Sequence, residues 1–265
     1  MFFYAEKTMV YGTIIKDLYI ERKADMTNIA LSKRLAAIAA FVNEDADVAD
    51  IGTDHGILPI YLCRQNSSRK AVAADLRDGP LAAARKNIQK YHMEDRIELR
   101  LGSGVSVLKN EDRIDTIMIA GMGGPLIVSI LDDGRDLVNS LPSQLVLQPN
   151  VAAVEVRQWL LNNNWELMDE CIIEEDDHYY EILTAQKGDP EKPYRQAAIS
   201  RGAALLFGPF LSVKKEPAFI NQWKREQENW ESIGRQLNRA ENKEEVQSKK
   251  KLLQQKQEWY KEVFL

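Results

Sequence analysis

The chain has 265 residues, 45% of them hydrophobic and 28% charged, with 35 lysines and arginines against 40 aspartates and glutamates for a net charge of -5. This length and apolar content fit one large domain, or a medium domain with a small one, and exclude a disordered chain. A membrane span needs roughly 18 uninterrupted apolar residues, and the sequence has no such run.

The first 25 residues are broken by Glu6, Lys7 and Lys16 and lack the apolar core of an export signal. With Met26 standing just ahead of a helical pattern, 1–25 reads as an extension the fold can dispense with. Cys63 and Cys171 lie far apart without a CxxC pair, which fits buried thiols in a reducing compartment and a cytoplasmic location. Thr27 reads as an N-cap ahead of an amphipathic helix through Leu31, Leu35, Ile38 and Val42.

From Val48 the pattern alternates. Strands are predicted over Val48–Ile51, Ala71–Asp75, Ile97–Leu101, Thr116–Ala120 and Leu145–Gln148. Helices are predicted between them over Leu58–Arg64, Pro80–Tyr91, Val105–Leu108 and Pro125–Leu131, and after them over Val151–Asn162. Such alternation predicts an α/β fold with a mostly parallel sheet covered on both faces. Strands are expected over Trp165–Glu174 and Tyr179–Gln186, with Asp169–Glu175 pairing antiparallel to Tyr179–Gln186 at one end of that sheet. Residues 26–187 form this first domain and 188–217 a linker by its Gly and Pro content. Residues 218–265 form a helical, coiled-coil-like hairpin turning near Asn242, from Phe219, Trp223, Trp230, Ile233, Leu237 and Ala240 against Val246, Leu253, Tyr260 and Phe264. From Lys214 onward there are 12 basic and 9 acidic residues, which makes this the more basic part of the chain.

The first strand runs into Asp50-Ile51-Gly52-Thr53-Asp54-His55-Gly56. A dinucleotide fingerprint would place a glycine where Asp54 stands, and a carboxylate there repels a pyrophosphate. S-adenosylmethionine carries a sulfonium and an ammonium instead, and Asp50 and Asp54 suit it electrostatically. Asp75, ending the second strand, is the expected ribose ligand. Leu76 follows it, and Gly102 and Ser103 close the third strand where an adenine ring would lie. The fourth strand ends in Ala120-Gly121-Met122-Gly123-Gly124, a bare backbone that a flat substrate can approach closely. Gln148-Pro149-Asn150 reaches the same crevice. Among the histidines only His55 lies in the predicted site. The acidic run Glu174–His178 reads as a solvated hairpin tip, and no metal site is expected.

Together, Leu31–Leu35, Ala49–His55, Asp78–Pro80, Ile119–Gly124 and Leu147–Asn150 resemble the bacterial TrmK family of tRNA (adenine-22-N1)-methyltransferases. The similarity runs from about residue 26 to the end and includes Gly208-Pro209-Phe210. It implies a class I Rossmann-like methyltransferase domain followed by a helical domain that helps hold tRNA, with S-adenosylmethionine as cofactor. Two positions depart from the family pattern. Ser103 stands where an acidic residue is common, and Asp75 stands in place of glutamate.

On this reading Asp50, Gly52, Thr53, Asp54, His55, Asp75, Leu76, Gly102, Ser103 and Ala120 bind the cofactor. Asp54, Gly121, Met122 and Gly123 line the substrate pocket, with Asp54 stabilising the cationic product. Lys33, Arg34, Lys214, Lys215, Lys224 and Arg225 are candidate phosphate contacts of a monomeric enzyme. Two alternatives stay open: a methyltransferase of small molecules, and a non-catalytic tRNA-binding module with a degenerate cofactor fold.

Overall fold

A computed structural model describes residues 29–239 and 244–265. Seven strands, β1 (Val48–Ile51), β2 (Ala71–Asp75), β3 (Ile97–Leu101), β4 (Thr116–Gly123), β5 (Gln144–Val151), β6 (Trp165–Glu175) and β7 (His178–Lys187), form one sheet in the order β3-β2-β1-β4-β5-β7-β6. β1 to β5 pair in parallel, while β7 runs antiparallel to both β5 and β6. Asp176 and Asp177, both with positive φ, make the tight turn between β6 and β7.

Strand alternation sends side chains to opposite layers, each under its own helices. Val48, Ala73, Met118 and Val146 pack in a layer with α1 (Lys33–Phe41), α2 (Ile57–Gln65) and α3 (Asp78–Lys90). Ala49, Ile51, Ile117 and Leu147 pack in the other with α4 (Gly124–Asp133) and α6 (Ala153–Asn162). α5 (Arg135–Ser140), a short helix that the sequence pattern missed, joins that second layer through Val138. The segment over 104–107 is a 3-10 turn rather than an α-helix. Strand order reverses between β1 and β4, so their carboxyl ends open a crevice, the usual ligand site of such sheets.

Three boundaries differ from expectation. α1 starts at Lys33, because Ser32 caps it with its hydroxyl accepting from Leu35 N at 3.3 Å, and Ile29–Leu31 are not helical. Thr27, like 1–25 and the turn near Asn242, lies outside the described residues. β4 and β5 continue past Ala120 and Gln148 to Gly123 and Val151, with register shifts where the glycines begin. Residues 188–217, a linker by composition, carry α7 (Lys192–Gln196), α8 (Arg201–Phe207) and α9 (Leu211–Lys214), because Tyr194, Ala203, Ala204, Phe207 and Leu211 are apolar enough to be buried there.

α10 (Pro217–Arg239) and α11 (Glu244–Phe264) pair antiparallel, with Phe219 stacked on Phe264 at 5.5 Å and Trp230 against Tyr260 at 6.4 Å. Their base shares a core with the sheet domain: Phe207 lies 4.3 Å from Trp223, and Ile172 of β6 belongs to the same cluster. Behind that joint Arg157 is fully buried, donating from Nε to Glu170 Oε1 at 2.6 Å and from Nη2 to Glu181. Its Nη1 reaches the carbonyls of Leu205 and Leu206, while Glu170 Oε2 accepts from Phe210 N at 3.1 Å. One guanidinium thus ties α6, β6, β7 and α8 together.

Candidate active site

The turn after β1 is set by Gly52, whose φ of +84° suits glycine and few other residues. It lets the N–H groups of Gly52 and Thr53 both donate to Ala74 O at 2.8 Å, locking the loop to β2. The side chain of Met122 crosses this loop from β4, so that a Cβ on Gly52 would fall 2.2 Å from Met122 Cε. The two predicted pockets therefore share a wall.

Asp50 is buried at the end of β1. Desolvation, reinforced by the negative charge of Asp75, pushes its carboxyl up to about 6. The buried Thr53 hydroxyl offsets part of that rise, yet no partner sits at full hydrogen-bonding geometry to its Oγ1 among the described residues. Two crowded acidic groups beside an orphaned hydroxyl are the surroundings a cationic, hydroxyl-bearing ligand would satisfy. Asp54 and His55 are exposed, with His55 Nε2 3.3 Å from Asp54 Oδ2.

At the end of β2, Asp75 Oδ1 accepts from Arg77 N at 2.8 Å, and Gly102 N donates to Asp75 O at 3.1 Å. Leu76 and Leu101 stay 67% and 58% exposed beside the Gly102–Ser103 backbone, an open apolar shelf suited to one face of a flat ring. Ser103 is exposed at this rim.

Ala120, Gly121, Met122 and Gly123 stand at the β4 end and are bound to the β5 end by a closed set of amides. Gly121 N donates to Gln148 Oε1 at 3.0 Å, Gln148 Nε2 to Asn150 Oδ1 at 3.0 Å, and Asn150 Nδ2 to Gly121 O at 2.8 Å. A cleft of about 660 Å³ opens beside Asn150 and Val151, between the hairpin tip at Asp177–Tyr179 and Gln222, Arg225 and Lys256 of the helical arm.

The six basic candidates separate. Arg34 is not a free surface cation: its Nη1 donates to Gln148 Oε1 at 2.7 Å and its Cζ lies 5.4 Å over the Tyr180 ring. Lys214 is held by Asp169 Oδ1 at 2.7 Å and Glu170 O at 2.6 Å, and Lys215 caps the end of α11 at Val263 O at 2.6 Å. Lys33, Lys224 and Arg225 remain exposed, and Arg225 Nη1 lies 3.4 Å from Asp177 O at the cleft. The role of Arg34 carries no signal in its own helical pattern. Only the proximity of α1 to the ends of β4 and β5 exposes it.

A family model described as "TrmK: tRNA (adenine(22)-N(1))-methyltransferase" matches residues 48–261. The tRNA (adenine(22)-N(1))-methyltransferase of Bacillus subtilis is 39% identical over 238 residues, 90% of this chain and 98% of that protein. The crystal structure of the B. subtilis M1A22 tRNA methyltransferase TrmK superposes with a TM-score of 0.83 at 38% identity, over 90% of this chain and all (100%) of that one. A Streptococcus pneumoniae putative tRNA (m1A22) methyltransferase, solved in complex with S-adenosyl-L-methionine, gives a TM-score of 0.77 at 32% identity, covering 89% of this chain and 100% of that chain.

Proposed function

Because the chain belongs to the TrmK family of tRNA (adenine(22)-N(1))-methyltransferases, we propose that its crevice at the ends of β1, β2, β4 and β5 transfers a methyl group to N1 of adenine 22 of bacterial tRNA. The enzyme is an S-adenosylmethionine-dependent tRNA methyltransferase. The observation that carries the residue assignment is the meeting of two surfaces. A carboxylate-rich loop, Asp50–His55, and a bare glycine platform, Gly121–Gly123, touch through Met122.

The cofactor fits the residues present. Asp50 takes its ammonium, Asp75 its ribose hydroxyls and Thr53 Oγ1 a further polar contact, while Leu76, Gly102 and Ser103 flank its adenine. Gly52 leaves the backbone open, and Ala120 closes the wall beneath. When bound, S-adenosylmethionine supplies an electrophilic methyl group whose carbon–sulfur electron pair stays on sulfur as the new bond to adenine N1 forms.

Adenine N1 already carries its lone pair at neutral pH, so no residue has to remove a proton from it. The chain's task is to align N1 behind the methyl group, and orientation of this kind is worth several kcal/mol of barrier. The Gly121–Gly123 backbone admits the flat base edge-on. Asp54, exposed beside that space, offsets the positive charge that appears on the ring as it is methylated. His55 braces this carboxylate. N1 lies on the Watson–Crick edge, so a stacked or paired target is drawn out first, at a cost of a few kcal/mol.

Lys33, Lys224 and Arg225 hold phosphates on either side of the cleft, and the α10–α11 hairpin serves as the arm on which the RNA rests. No helix among the described residues is long and apolar enough to cross a membrane, and a cytoplasmic, monomeric enzyme is the form we propose. A tRNA substrate is favoured over a small molecule by the open cleft running from Asn150 to the arm. The test is transfer of labelled methyl to unmodified bacterial tRNA. Incorporation that disappears when nucleotide 22 is changed from adenine to guanine supports this reaction. Cofactor binding without incorporation into any tRNA points to a small-molecule substrate.

A further inference from the structure

The amide ring at the ends of β4 and β5 is directional. Gln148 is fully buried, and its Oε1 accepts twice, from Arg34 Nη1 at 2.7 Å and from Gly121 N at 3.0 Å. A guanidinium only donates, so Arg34 fixes Oε1 toward itself and Nε2 toward Asn150. Nε2 then claims Asn150 Oδ1, which leaves Asn150 Nδ2 on Gly121 O. Turning over either amide would set donor against donor or acceptor against acceptor. Arg34 is itself held, by the Tyr180 ring beneath its guanidinium and by the first turn of α1, where Lys33 N donates to Glu175 Oε1 at 2.6 Å.

Asn150 is the ring's exposed side-chain amide and lines the cleft. With one hydrogen bond used on each side, its Oδ1 keeps a lone pair and its Nδ2 keeps one N–H. Adenine and guanine differ beside N1: adenine carries an amine, guanine a carbonyl oxygen. An N–H facing adenine would oppose that amine or tie up the N1 lone pair, whereas an acceptor complements the amine and leaves N1 free.

Resting on the methyltransferase reading above, we propose that Asn150 is the residue that selects adenine, its Oδ1 accepting a hydrogen bond from the exocyclic amine. Arg34 is the positioning residue that, through Gln148, keeps that oxygen turned to the base. A freely rotating asparagine amide would suit guanine as well as adenine. The ring fixes where the spare Oδ1 lone pair and the spare Nδ2 N–H each point, so only one of them can meet a base seated on the Gly121–Gly123 backbone, and the proposal gives that place to Oδ1.

The experiment compares kcat/KM on tRNA bearing adenine at nucleotide 22 with tRNA bearing purine there, which keeps N1 and lacks the amine. Any intrinsic difference in N1 reactivity is common to all variants, so a change in the ratio reports the contact. For Asn150→Ala we expect the adenine-to-purine ratio to fall about tenfold or more, with S-adenosylmethionine affinity retained as the sign of an intact fold. Arg34→Ala should lower the ratio in the same sense, Arg34→Lys should restore part of it, and neither should alter the salt dependence of tRNA binding. Equal losses on both substrates, with the ratio kept, would overturn the inference. So would an Arg34→Ala variant whose ratio holds while its salt dependence weakens, since Arg34 would then be a phosphate contact. A wild-type enzyme that leaves adenine 22 unmethylated would overturn the methyltransferase reading and this inference together.

Discussion

Asp50 keeps its proton up to about pH 6 because burial and the charge of Asp75 oppose its ionisation. The pairing proposed for it requires the ionised form. Below about pH 6 a cationic cofactor must displace that proton, so its dissociation constant should rise toward tenfold per unit of further acidification. Above that pH the Asp50 contribution should level off. Titration calorimetry from pH 5 to 7 checks this, and Asp50→Asn should bind weakly with the pH dependence gone. The stability sign is opposite: a carboxyl whose folded value is raised costs stability where it is ionised, so Asp50→Asn should melt higher than wild type at pH 7–8 without cofactor. The role proposed for Asp54 depends on its charge during turnover. Asp54→Asn should lower kcat about tenfold at saturating cofactor and tRNA, and unchanged turnover would remove it from the mechanism.

Among the elements, the contact that matters most is between the β4–α4 and β5–α6 turns. A Cβ on Gly124 would fall 2.3 Å from Ala152 O, a backbone atom with no side-chain freedom to yield, and Ala152 already sits at a φ of +58°. Gly124→Ala should therefore spread the two turns and break the amide ring between Gly121 and Asn150. We expect a loss of turnover of tenfold or more with cofactor binding kept, measured by methyl transfer and by calorimetry in parallel. The strands from Val48 to Gln148 were legible in the sequence, since short apolar runs between glycines and carboxylates admit few other readings. Less legible were α5 and α7 to α9, where segments of four to seven residues show no helical period, and burial of Phe207 and Leu211 rather than propensity holds them. The glycines and carboxylates of the site stood out by type and position. Arg34 did not, because a basic residue on an amphipathic helix looks the same whether it meets phosphate or a buried glutamine.

Across the whole molecule, the buried Arg157, Glu170 and Glu181 tie α6, β6 and β7 to α8, whose Phe207 packs on Trp223 of the arm. Arg157→Ala leaves two carboxylates and two carbonyls without their donor, and we expect a loss of about 3–5 kcal/mol in denaturant unfolding. The deficit should shrink between pH 8 and pH 5, because carboxyls without their counter-ion take up protons as the pH falls. The contact proposed between the arm and RNA should be electrostatic. Lys224→Glu and Arg225→Glu should each weaken tRNA binding and reduce the slope of log affinity against log salt by about one. The acidic balance of the full chain conceals this surface, which becomes visible only when the exposed cations of the arm are separated from those committed to the fold. The most direct test of the enzyme as a whole is mass spectrometry of nuclease-digested tRNA after reaction with S-adenosylmethionine. We expect 1-methyladenosine arising from nucleotide 22. Methyl found on the exocyclic nitrogen instead, or at another nucleotide, would contradict an active site built to hold the amine and present N1.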